Sequence, residues 1–409
     1  MNTGTFKIWN GKIITPGKII EGGSILVSNG MITAISEENM EAEDAVEIDA
    51  GGNYVSPGFI DIHVHGGGGH DFMDGHEKAF LEIAATHARY GTTSMLPTTL
   101  TSSKEELFHT LEVYATANKN NINGASFLGL HLEGPYLSIK QCGAQDPKYI
   151  RNPDPAEYRE VLAATNFVKR WSAAPELPGA IEFGRYLTEK GILVAMAHTD
   201  AIYEEAVKGF ENGYTLATHF YSAMSGVTRR NAHRYAGVVE AGYLIDEMDV
   251  EIIADGVHLP APLLKLVYKI KGTNRTALIT DAMRGAGMPE GESVLGNIYT
   301  GLKVIIEDGV AKLPDRSSFA GSVATTDRLV RNMVNMAGVS LLDAVKMMTL
   351  TPARIMKADH LTGSLTVGKA ADIVFFDNNI NVQLTMVKGK IIYKNEHGIK
   401  QRINISNKK

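Results

Sequence analysis

The run FIDIHVH (59–65) decides the fold, because it is the first of eight short apolar runs that are each followed by a turn and a helical pattern. The other runs are SMLPT (94–98), FLGLHLEGP (127–135), RWSAAPE (170–176), ILVAMAHTD (192–200), TLATHFY (215–221), EIIADGVH (251–258) and ALITDAM (277–283). Amphipathic segments such as EKAFLEIAATHARYG (77–91) lie between them and end at a glycine. Eight buried-type strand patterns that alternate with helices predict a parallel (β/α)8 barrel. A doubly wound open sheet would give a similar alternation, so periodicity alone leaves the closure of the sheet open.

Residues 1–56 follow another pattern, of short strands broken by glycine turns. FKIW and KIIT flank Asn10-Gly11, and SILV and ITAI flank Asn29-Gly30. Asn-Gly pairs tolerate positive φ, so the pattern predicts two hairpins in a small antiparallel layer.

The chain returns to strand patterns near its end, in ADIVFFD (371–377), QLTMVKG (383–389) and KIIYKN (390–395). We expect this tail to join the first strands. The predicted fold class is therefore α/β, a distorted TIM barrel with a small β-sandwich domain formed by both chain ends. The predicted domains are residues 1–56 plus 364–409 for the β-sandwich and 57–363 for the catalytic barrel.

Composition and charge argue against several classes of function. The 409 residues are 44% hydrophobic and 21% charged, the usual balance of a globular protein. A net charge of -6 argues against a nucleic-acid partner. We expect neither a membrane span nor a signal peptide, because the sequence has no apolar stretch of the required kind. Cys142 is the only cysteine, which excludes an internal disulfide and favours a cytoplasmic location.

Side chains that could bind a metal stand at the ends of the apolar runs. They are His63 and His65 in the first run, Glu133 in the third, His198 in the fifth, His219 in the sixth and Asp281 in the eighth. The carboxyl ends of barrel strands meet at one face. Singly, each residue has an ordinary explanation as a core histidine or a capping carboxylate, but their joint placement predicts a metal site. Two imidazoles and one carboxylate with an open position are typical of catalytic zinc and related ions, and Asp281 is the best candidate for a separate general base.

Positive charge collects in the loops after the third and sixth runs, at Lys140, Lys148, Arg229, Arg230, His233 and Arg234. These residues form either a solvated basic face or a phosphate site, since guanidinium groups match phosphate oxygens.

Six motifs carry a family resemblance: HLEGPYLS (131–138), AHTDA (197–201), ATHFYSAM (217–224), IADGVHLP (253–260), TDAMRGAGMPEG (280–291) and FAGS (319–322). With SPGFIDIHVHG (56–66), their order resembles the amidohydrolase superfamily and, within it, the N-acetylglucosamine-6-phosphate deacetylases. The resemblance implies a metal-dependent homodimeric hydrolase of amino-sugar catabolism, which converts N-acetyl-D-glucosamine 6-phosphate to D-glucosamine 6-phosphate and acetate.

The resemblance also implies roles for the residues at the strand ends. Glu133, His198 and His219 match the ligands of the main metal, and His63 and His65 match those of a second metal in some relatives. We therefore expect one or two divalent ions per subunit, zinc first, with iron, cobalt or manganese as alternatives. Asp281 falls on the family's catalytic aspartate.

The substrate contacts carry over less directly. Ala223, next to Ser222, matches a backbone contact to phosphate, and Arg230 matches a phosphate-binding arginine. His258 matches a histidine that reaches the sugar phosphate of the neighbouring subunit, and Ser322 lies in the loop that packs against the acetyl group.

Three positions depart from the family pattern. Ser222 stands where asparagine is common, and the altered loop leaves Arg229 or Arg234 as alternatives to Arg230. Gln145 replaces a histidine that polarises the substrate carbonyl, and its amide could still donate a hydrogen bond to the oxyanion.

Other activities remain open at this point. N-acetylgalactosamine-6-phosphate deacetylase differs in one hydroxyl of the substrate, and a D-aminoacylase or cyclic-amide hydrolase would keep the chemistry but change the substrate. A scaffold without catalysis would have lost some of the ligands, whereas here every ligand and the base remain.

Overall fold

Eight parallel strand positions form the catalytic part of the chain in the computed structural model, which describes residues 4–395 and 399–403. In barrel order the strands are Phe59–Val64, Thr92–Thr99, Ser126–Phe127 with Leu130–Glu133, Val168–Ala173, Leu193–Met196, Tyr214–Ala217, Asp249–Ile252 and Thr276–Leu278. Each strand pairs in parallel with the next one along the chain.

Contacts between the first and eighth strand positions answer the question of closure. Val64 and Ala282 form a parallel bridge. The His65 N–H donates to the Ala282 carbonyl at 2.8 Å, and the Asp281 N–H donates to the His63 carbonyl at 2.9 Å. The sheet is thus a nearly closed barrel rather than an open one, and the predicted fold class is confirmed.

Helices cover the outside of the barrel. They are Glu77–Ala88, Lys104–Asn120, Pro155–Ala164, Ala180–Glu189, Tyr203–Glu211, Val238–Leu244, Ala261–Arg275, Thr326–Asn335, Leu341–Met348 and Leu350–Ile355, with short 3-10 helices at Phe72–Asp74 and Ile139–Gln141. Their apolar faces pack on the strands through large buried side chains such as Phe80, Trp171 and Phe183. None of the helices within the described ranges is long and apolar enough to span a membrane.

Both chain ends build a second, nine-stranded sheet. Its strands are Phe6–Ile14, Ile19–Ser28, Met31–Ser36, Val46–Asp49, Tyr54–Pro57, Ile373–Phe376, Val382–Val387, Lys390–Lys394 and Lys400–Ile403. Strand Phe6–Ile14 pairs in parallel with Val46–Asp49 through its first half and with Tyr54–Pro57 through its second half, so the sheet branches at this strand. The sheet has an apolar core of its own. The ends of the predicted β-sandwich domain at residues 1–3, 396–398 and 404–409 lie outside the described residues.

One of the two predicted hairpins is wrong. Asn29-Gly30 forms the expected tight turn, with φ of 52° and 77°. Asn10-Gly11 instead lies inside strand Phe6–Ile14, where the register shifts, and the chain reverses only at 15–18. Asn10 has a φ of 57°, so the Asn-Gly pair serves as a bulge, a conformation with the same backbone requirement as a turn.

Three small structures were not predicted, of which the smallest is the antiparallel pair of Gly66–Gly67 and His70–Asp71. An antiparallel hairpin of Thr228–Arg230 and His233–Tyr235 carries the basic loop after the sixth strand. A three-stranded sheet of Gly291–Leu295, Leu302–Glu307 and Val310–Lys312 follows the eighth strand and borders the open end of the barrel.

Candidate active site

One cavity of about 260 Å³ opens at the carboxyl end of the barrel. Five of the six side chains predicted for the metal site and its base line it, namely His65, Glu133, His198, His219 and Asp281. His63 is fully buried beneath them, with its Nε2 atom 3.2 Å from Nε2 of His65. The barrel therefore brings together all six side chains that the sequence placed at strand ends.

Backbone carbonyls orient three of the histidines. His198 Nδ1 lies 2.8 Å from the Gln141 carbonyl, His219 Nδ1 lies 3.1 Å from that of Ser222, and His65 Nδ1 lies 3.2 Å from that of Thr98. Because a carbonyl oxygen can only accept, each of these Nδ1 nitrogens carries a proton. A metal ion would therefore bind at Nε2, whose lone pair faces the cavity once that nitrogen is deprotonated.

Glu133 lies at the centre of the cluster. Its Oε1 is 3.1 Å from His219 Nε2 and 3.5 Å from His198 Nε2, while its Oε2 is 3.3 Å from His65 Nε2. Glu133 belongs to two sets of possible ligand atoms, one with His198 and His219 and the other with His63 and His65. In each set the atoms lie within 4.8 Å of one another.

Electrostatics shows that the cluster needs positive charge. Burial would raise the pKa of Glu133, but His63, His198 and His219 hold it well below its usual range. Burial would lower the pKa of His63, but Glu133 and Asp281 raise it to about 9, and the same two carboxylates raise the pKa of His65 to about 10. A divalent ion would replace these protons, since metal binding and ligand deprotonation are coupled. The donor set, the tautomers and the charge balance all fit a divalent metal.

Asp281 faces the same cluster from the eighth strand position. Its Oδ1 atom is 3.2 Å from His65 Nε2 and 3.5 Å from His63 Nε2. Burial would raise the pKa of Asp281, but the two histidines hold it below its usual value. The side chain is therefore an ionised carboxylate that could accept a proton.

Strained backbone marks the strand ends. His198, His219, Ala223 and Asp281 have φ of 46°, 30°, 49° and 49°, in the left-handed region that non-glycine residues rarely adopt. Such residues cost about 1–3 kcal/mol each and concentrate at functional sites. His198, His219 and Asp281 lie two or three residues after the end of a barrel strand, and Ala223 lies further along the loop after the sixth strand; all four line the cavity.

Gln145 lies where predicted but contacts something else. Its Nε2 atom donates to Oε2 of Glu133 at 2.8 Å, and its Oε1 atom accepts from the Thr101 N–H at 2.9 Å. We predicted an amide that polarises the substrate carbonyl, whereas the structure places that amide on a candidate metal ligand.

Two further predicted substrate contacts lie in or beside the cavity. Phe319 and Gly321 of the predicted acetyl-contacting loop line it, whereas Ser322 itself is fully buried, because the loop bridges in parallel to Ala282 and the serine hydroxyl donates to the Thr280 carbonyl. His258 lines the cavity of its own chain, and its predicted contact with the substrate of the neighbouring subunit stays a prediction.

The remaining predicted contacts are partly described. Ser222 and Ala223 line the cavity. The backbone of Arg230 belongs to the exposed hairpin, but its side chain lies outside the described part of the chain.

The sequence did not reveal a buried ion pair beneath the histidines. Arg170 and Glu251 are fully buried, with Arg170 Nη2 donating to Glu251 Oε2 at 2.8 Å. Glu251 Oε2 in turn lies 3.9 Å from His63 Nδ1. Arg170 and Glu251 open two of the apolar runs, where a charge usually marks the exposed end of a strand.

A third group of possible ligands, His70, Asp74 and His76, lies in the loop after the first strand. Asp74 already accepts hydrogen bonds from Arg284 at 2.7 and 3.1 Å, so its charge is balanced. We assign no ion to this group.

Comparisons with known proteins agree with this architecture. The model of the amidohydrolase family matches residues 54–392. An N-acetylglucosamine-6-phosphate deacetylase of Lysinibacillus sphaericus is 33% identical over 90% of this chain and 92% of its own. An N-acetylgalactosamine-6-phosphate deacetylase of Escherichia coli O157:H7 is 33% identical over 93% of this chain and 97% of its own. The crystal structure of N-acetylglucosamine-6-phosphate deacetylase from Pasteurella multocida superposes with a TM-score of 0.89 at 31% identity, over 96% of this chain and 100% of the other. The chain therefore belongs to the amidohydrolase family, in the group that contains these amino-sugar phosphate deacetylases.

Proposed function

We propose that this chain is a metal-dependent hydrolase that converts N-acetyl-D-glucosamine 6-phosphate to D-glucosamine 6-phosphate and acetate in amino-sugar catabolism. One observation carries the proposal: Glu133, His198 and His219 converge in the cavity that also contains the ionised Asp281. The similarity to deacetylases of this substrate over most of the chain supports the same reaction.

In this proposal Glu133, His198 and His219 hold the main metal ion, and His63 and His65 join Glu133 around a second. A bound divalent ion supplies Lewis-acid polarisation and lowers the pKa of water towards about 7. The carbonyls of Gln141, Ser222 and Thr98 keep the histidine rings in the tautomer that such binding requires.

Asp281 moves the proton. Its carboxylate takes a proton from the attacking water, whose oxygen forms the new bond to the acetamide carbon. The carbon–nitrogen bond then breaks, and Asp281 returns the proton to the departing nitrogen. The second proton of the water leaves the new carboxyl group for the amine or the solvent, so the products are acetate and the protonated amine, and the aspartate ends in its starting state.

The phosphate of the substrate needs positive charge near the cavity. We assign this role to Arg230, with Arg229 and Arg234 of the same hairpin as alternatives, and to His258 within the cavity. Ser222 and the Ala223 backbone contribute polar contacts. We also propose a homodimer, as the family resemblance implies, in which the arginines of this exposed hairpin lie near the cavity of the neighbouring subunit.

Zinc is the expected metal, because imidazole and carboxylate ligands suit it, and iron, cobalt or manganese would fit the same donors. We further propose a cytoplasmic location, which a single cysteine favours. We assign catalysis to the barrel of residues 57–363, and we assign structural support of that barrel to residues 1–56 plus 364–409.

A second candidate is deacetylation of N-acetyl-D-galactosamine 6-phosphate, which the similarity to the Escherichia coli O157:H7 enzyme favours. The two substrates differ only in the configuration of one hydroxyl. Another N-acyl amidohydrolase activity, such as that of a D-aminoacylase, would need no phosphate site.

One assay distinguishes these activities. The purified protein, with its metal content measured, is supplied with both epimeric N-acetylhexosamine 6-phosphates, their unphosphorylated forms and an N-acetyl-D-amino acid. We expect acetate release to be fastest from N-acetylglucosamine 6-phosphate. Faster release from the galactose epimer would select the second candidate, and hydrolysis of the amino acid alone would contradict both.

A further inference from the structure

Asp255 has no role in the reaction described above, yet its buried carboxylate contacts His258, which lines the cavity. Its side chain is fully buried, and the side chain of His258 is 3% exposed. Asp255 Oδ2 lies 2.7 Å from His258 Nδ1. Burial would raise the pKa of Asp255, but His258 and two backbone N–H groups keep it below its usual value.

The rest of the Asp255 carboxylate is used locally. Oδ1 accepts hydrogen bonds from the N–H groups of Val257 and His258, both at 2.8 Å. The loop itself is fixed by Arg328, which donates to the Asp255 carbonyl at 3.0 Å. The carboxylate therefore has a fixed position, and within the described residues His258 is the only side chain that donates to it.

The His258 ring is held on a second side by Phe319, with ring centroids 4.5 Å apart. Since Nδ1 faces Asp255, a second proton taken up by the ring would be placed on Nε2, the nitrogen left for the cavity that His258 lines. Among the described residues that line this cavity there is no lysine or arginine. If the His258 ring carries a second proton, it is the cationic side chain among these lining residues that belongs to neither set of candidate metal ligands.

We propose that Asp255 is a positioning residue, which fixes the ring of His258 and stabilises its positive charge so that Nε2–H can bind the phosphate of the substrate. This inference rests on the proposed function, because it names the residue that prepares a phosphate contact. A carboxylate on one side and a phosphate on the other balance an imidazolium, and both hydrogen bonds are charge-assisted.

Asp255→Asn separates this role from the loop contacts. The asparagine oxygen can still accept from Val257 and His258, but its amide group faces Nδ1 and can only donate. The ring must then accept at Nδ1 and stay neutral. Asp377→Asn is a matched control in the β domain, because Asp377 Oδ1 also accepts from two backbone N–H groups, those of Asn379 and Asn381, without a histidine partner.

The experiment measures binding of glucosamine 6-phosphate and of glucosamine to the metal-loaded full chain by calorimetry. We expect Asp255→Asn to weaken binding of the phosphorylated sugar by about tenfold or more, as for loss of a hydrogen bond between charged groups, and to leave glucosamine unchanged. His258→Asn should have a similar effect, and the double variant should be no weaker than His258→Asn alone. KM should rise for the phosphorylated substrate with little change in kcat.

Equal losses for both sugars, or a loss from Asp255→Asn that persists in the His258→Asn background, would overturn the inference. If Asp255→Asn does not fold, the ¹⁵N shifts of His258 in the unaltered protein decide instead. A proton at Nδ1 supports the inference, and a proton at Nε2 alone contradicts it. Binding does not depend on turnover, so phosphate-selective binding without acetate release would contradict the proposed function and leave the Asp255 role standing.

Discussion

Gln145 and Glu133 are joined by a buried hydrogen bond of 2.8 Å, from the amide Nε2 of Gln145 to Oε2 of Glu133. The other end of the amide is fixed, because its oxygen accepts from the Thr101 N–H. Gln145 therefore limits the rotation of the one carboxylate that both candidate metal sites share. This contact places Gln145 behind a ligand, where it would set metal affinity rather than act on the substrate directly.

Replacing Gln145 with Leu should weaken metal binding, because Glu133 would lose the partner that orients it. Loss of such an outer partner typically costs about 10–100-fold in affinity. Competition with a chelator, followed by metal analysis, measures this. Gln141→Ala is the control, since its side chain bonds Asp200 and its backbone carbonyl, which orients His198, is retained. Unchanged metal affinity with a lower kcat would favour the oxyanion role.

Replacing Asp281 with Asn should leave the metal bound and remove turnover, because the general base is lost while Glu133 and the histidines remain. Proton transfer by a positioned base contributes about 10²–10⁴-fold, so kcat should fall by at least that order. Steady-state kinetics and metal analysis of the same preparation check both parts. Asp308→Asn, at an exposed ion pair with Lys312, serves as the control. Retained deacetylation would exclude Asp281 as the base.

The two candidate metal sites should differ in affinity. Among the described residues His63 Nδ1 has no hydrogen-bond partner, whereas the Nδ1 atoms of His65, His198 and His219 each have a carbonyl acceptor. We expect the ion that contacts His63 to be removed first, at about tenfold less chelator. His63→Asn should retain one ion per chain, and His76→Gln, in the third group of possible ligands, should lose none. Loss of both ions from His63→Asn would show that the sites are not independent.

Much of the barrel and the site was predictable, because both depend on local signals. Each of the six candidate residues lies within three residues of the end of a barrel strand, so a histidine or carboxylate at that point marks the cavity face. Side-chain partners depend on distant residues instead. Asn10-Gly11 has the φ preference of a turn, and only its pairing with strand Ile19–Ser28 shows that it is a bulge.

The side-chain contacts of Gln145 and Ser322 were missed for the same reason. Their loops lie at the open end of the barrel as expected, but Thr101 and the Thr280 carbonyl determine which way the side chains point. Neither contact has a local pattern in the sequence. The ion pair between Arg170 and Glu251 joins two strands that are not neighbours in the sheet, so no pairing rule predicts it.

That ion pair should contribute strongly to stability. Glu251→Gln would leave Arg170 buried without its counter-charge, and removing one partner of such a pair costs about 3–5 kcal/mol in the free energy of unfolding. Urea denaturation with saturating metal measures the change. Glu160→Gln breaks the solvent-exposed pair with Lys104 and should change the free energy of unfolding far less. Similar losses in the two variants would mean that solvent reaches the barrel interior.

Stability should also depend on pH through His87. The side chain is fully buried, its Nε2 donates to the Gly66 carbonyl at 2.9 Å, and burial lowers its pKa from 6.5. Below pH 6.5 the unfolded chain binds a proton at His87, whereas the native state does not. The native state therefore loses stability as pH falls towards the lowered pKa.

His87→Gln removes this protonation site. The free energy of unfolding of the variant should therefore rise relative to that of the unaltered protein as pH falls from 7.5 to 5, by up to about 1.4 kcal/mol for each pH unit below 6.5. Thermal unfolding at several pH values measures the difference. His109→Gln is the matched control, because His109 also bonds a glycine carbonyl, that of Gly75 at 2.9 Å, but is exposed. If the stability difference between His87→Gln and the unaltered protein does not change with pH, His87 binds its second proton as readily in the native state as in the unfolded state.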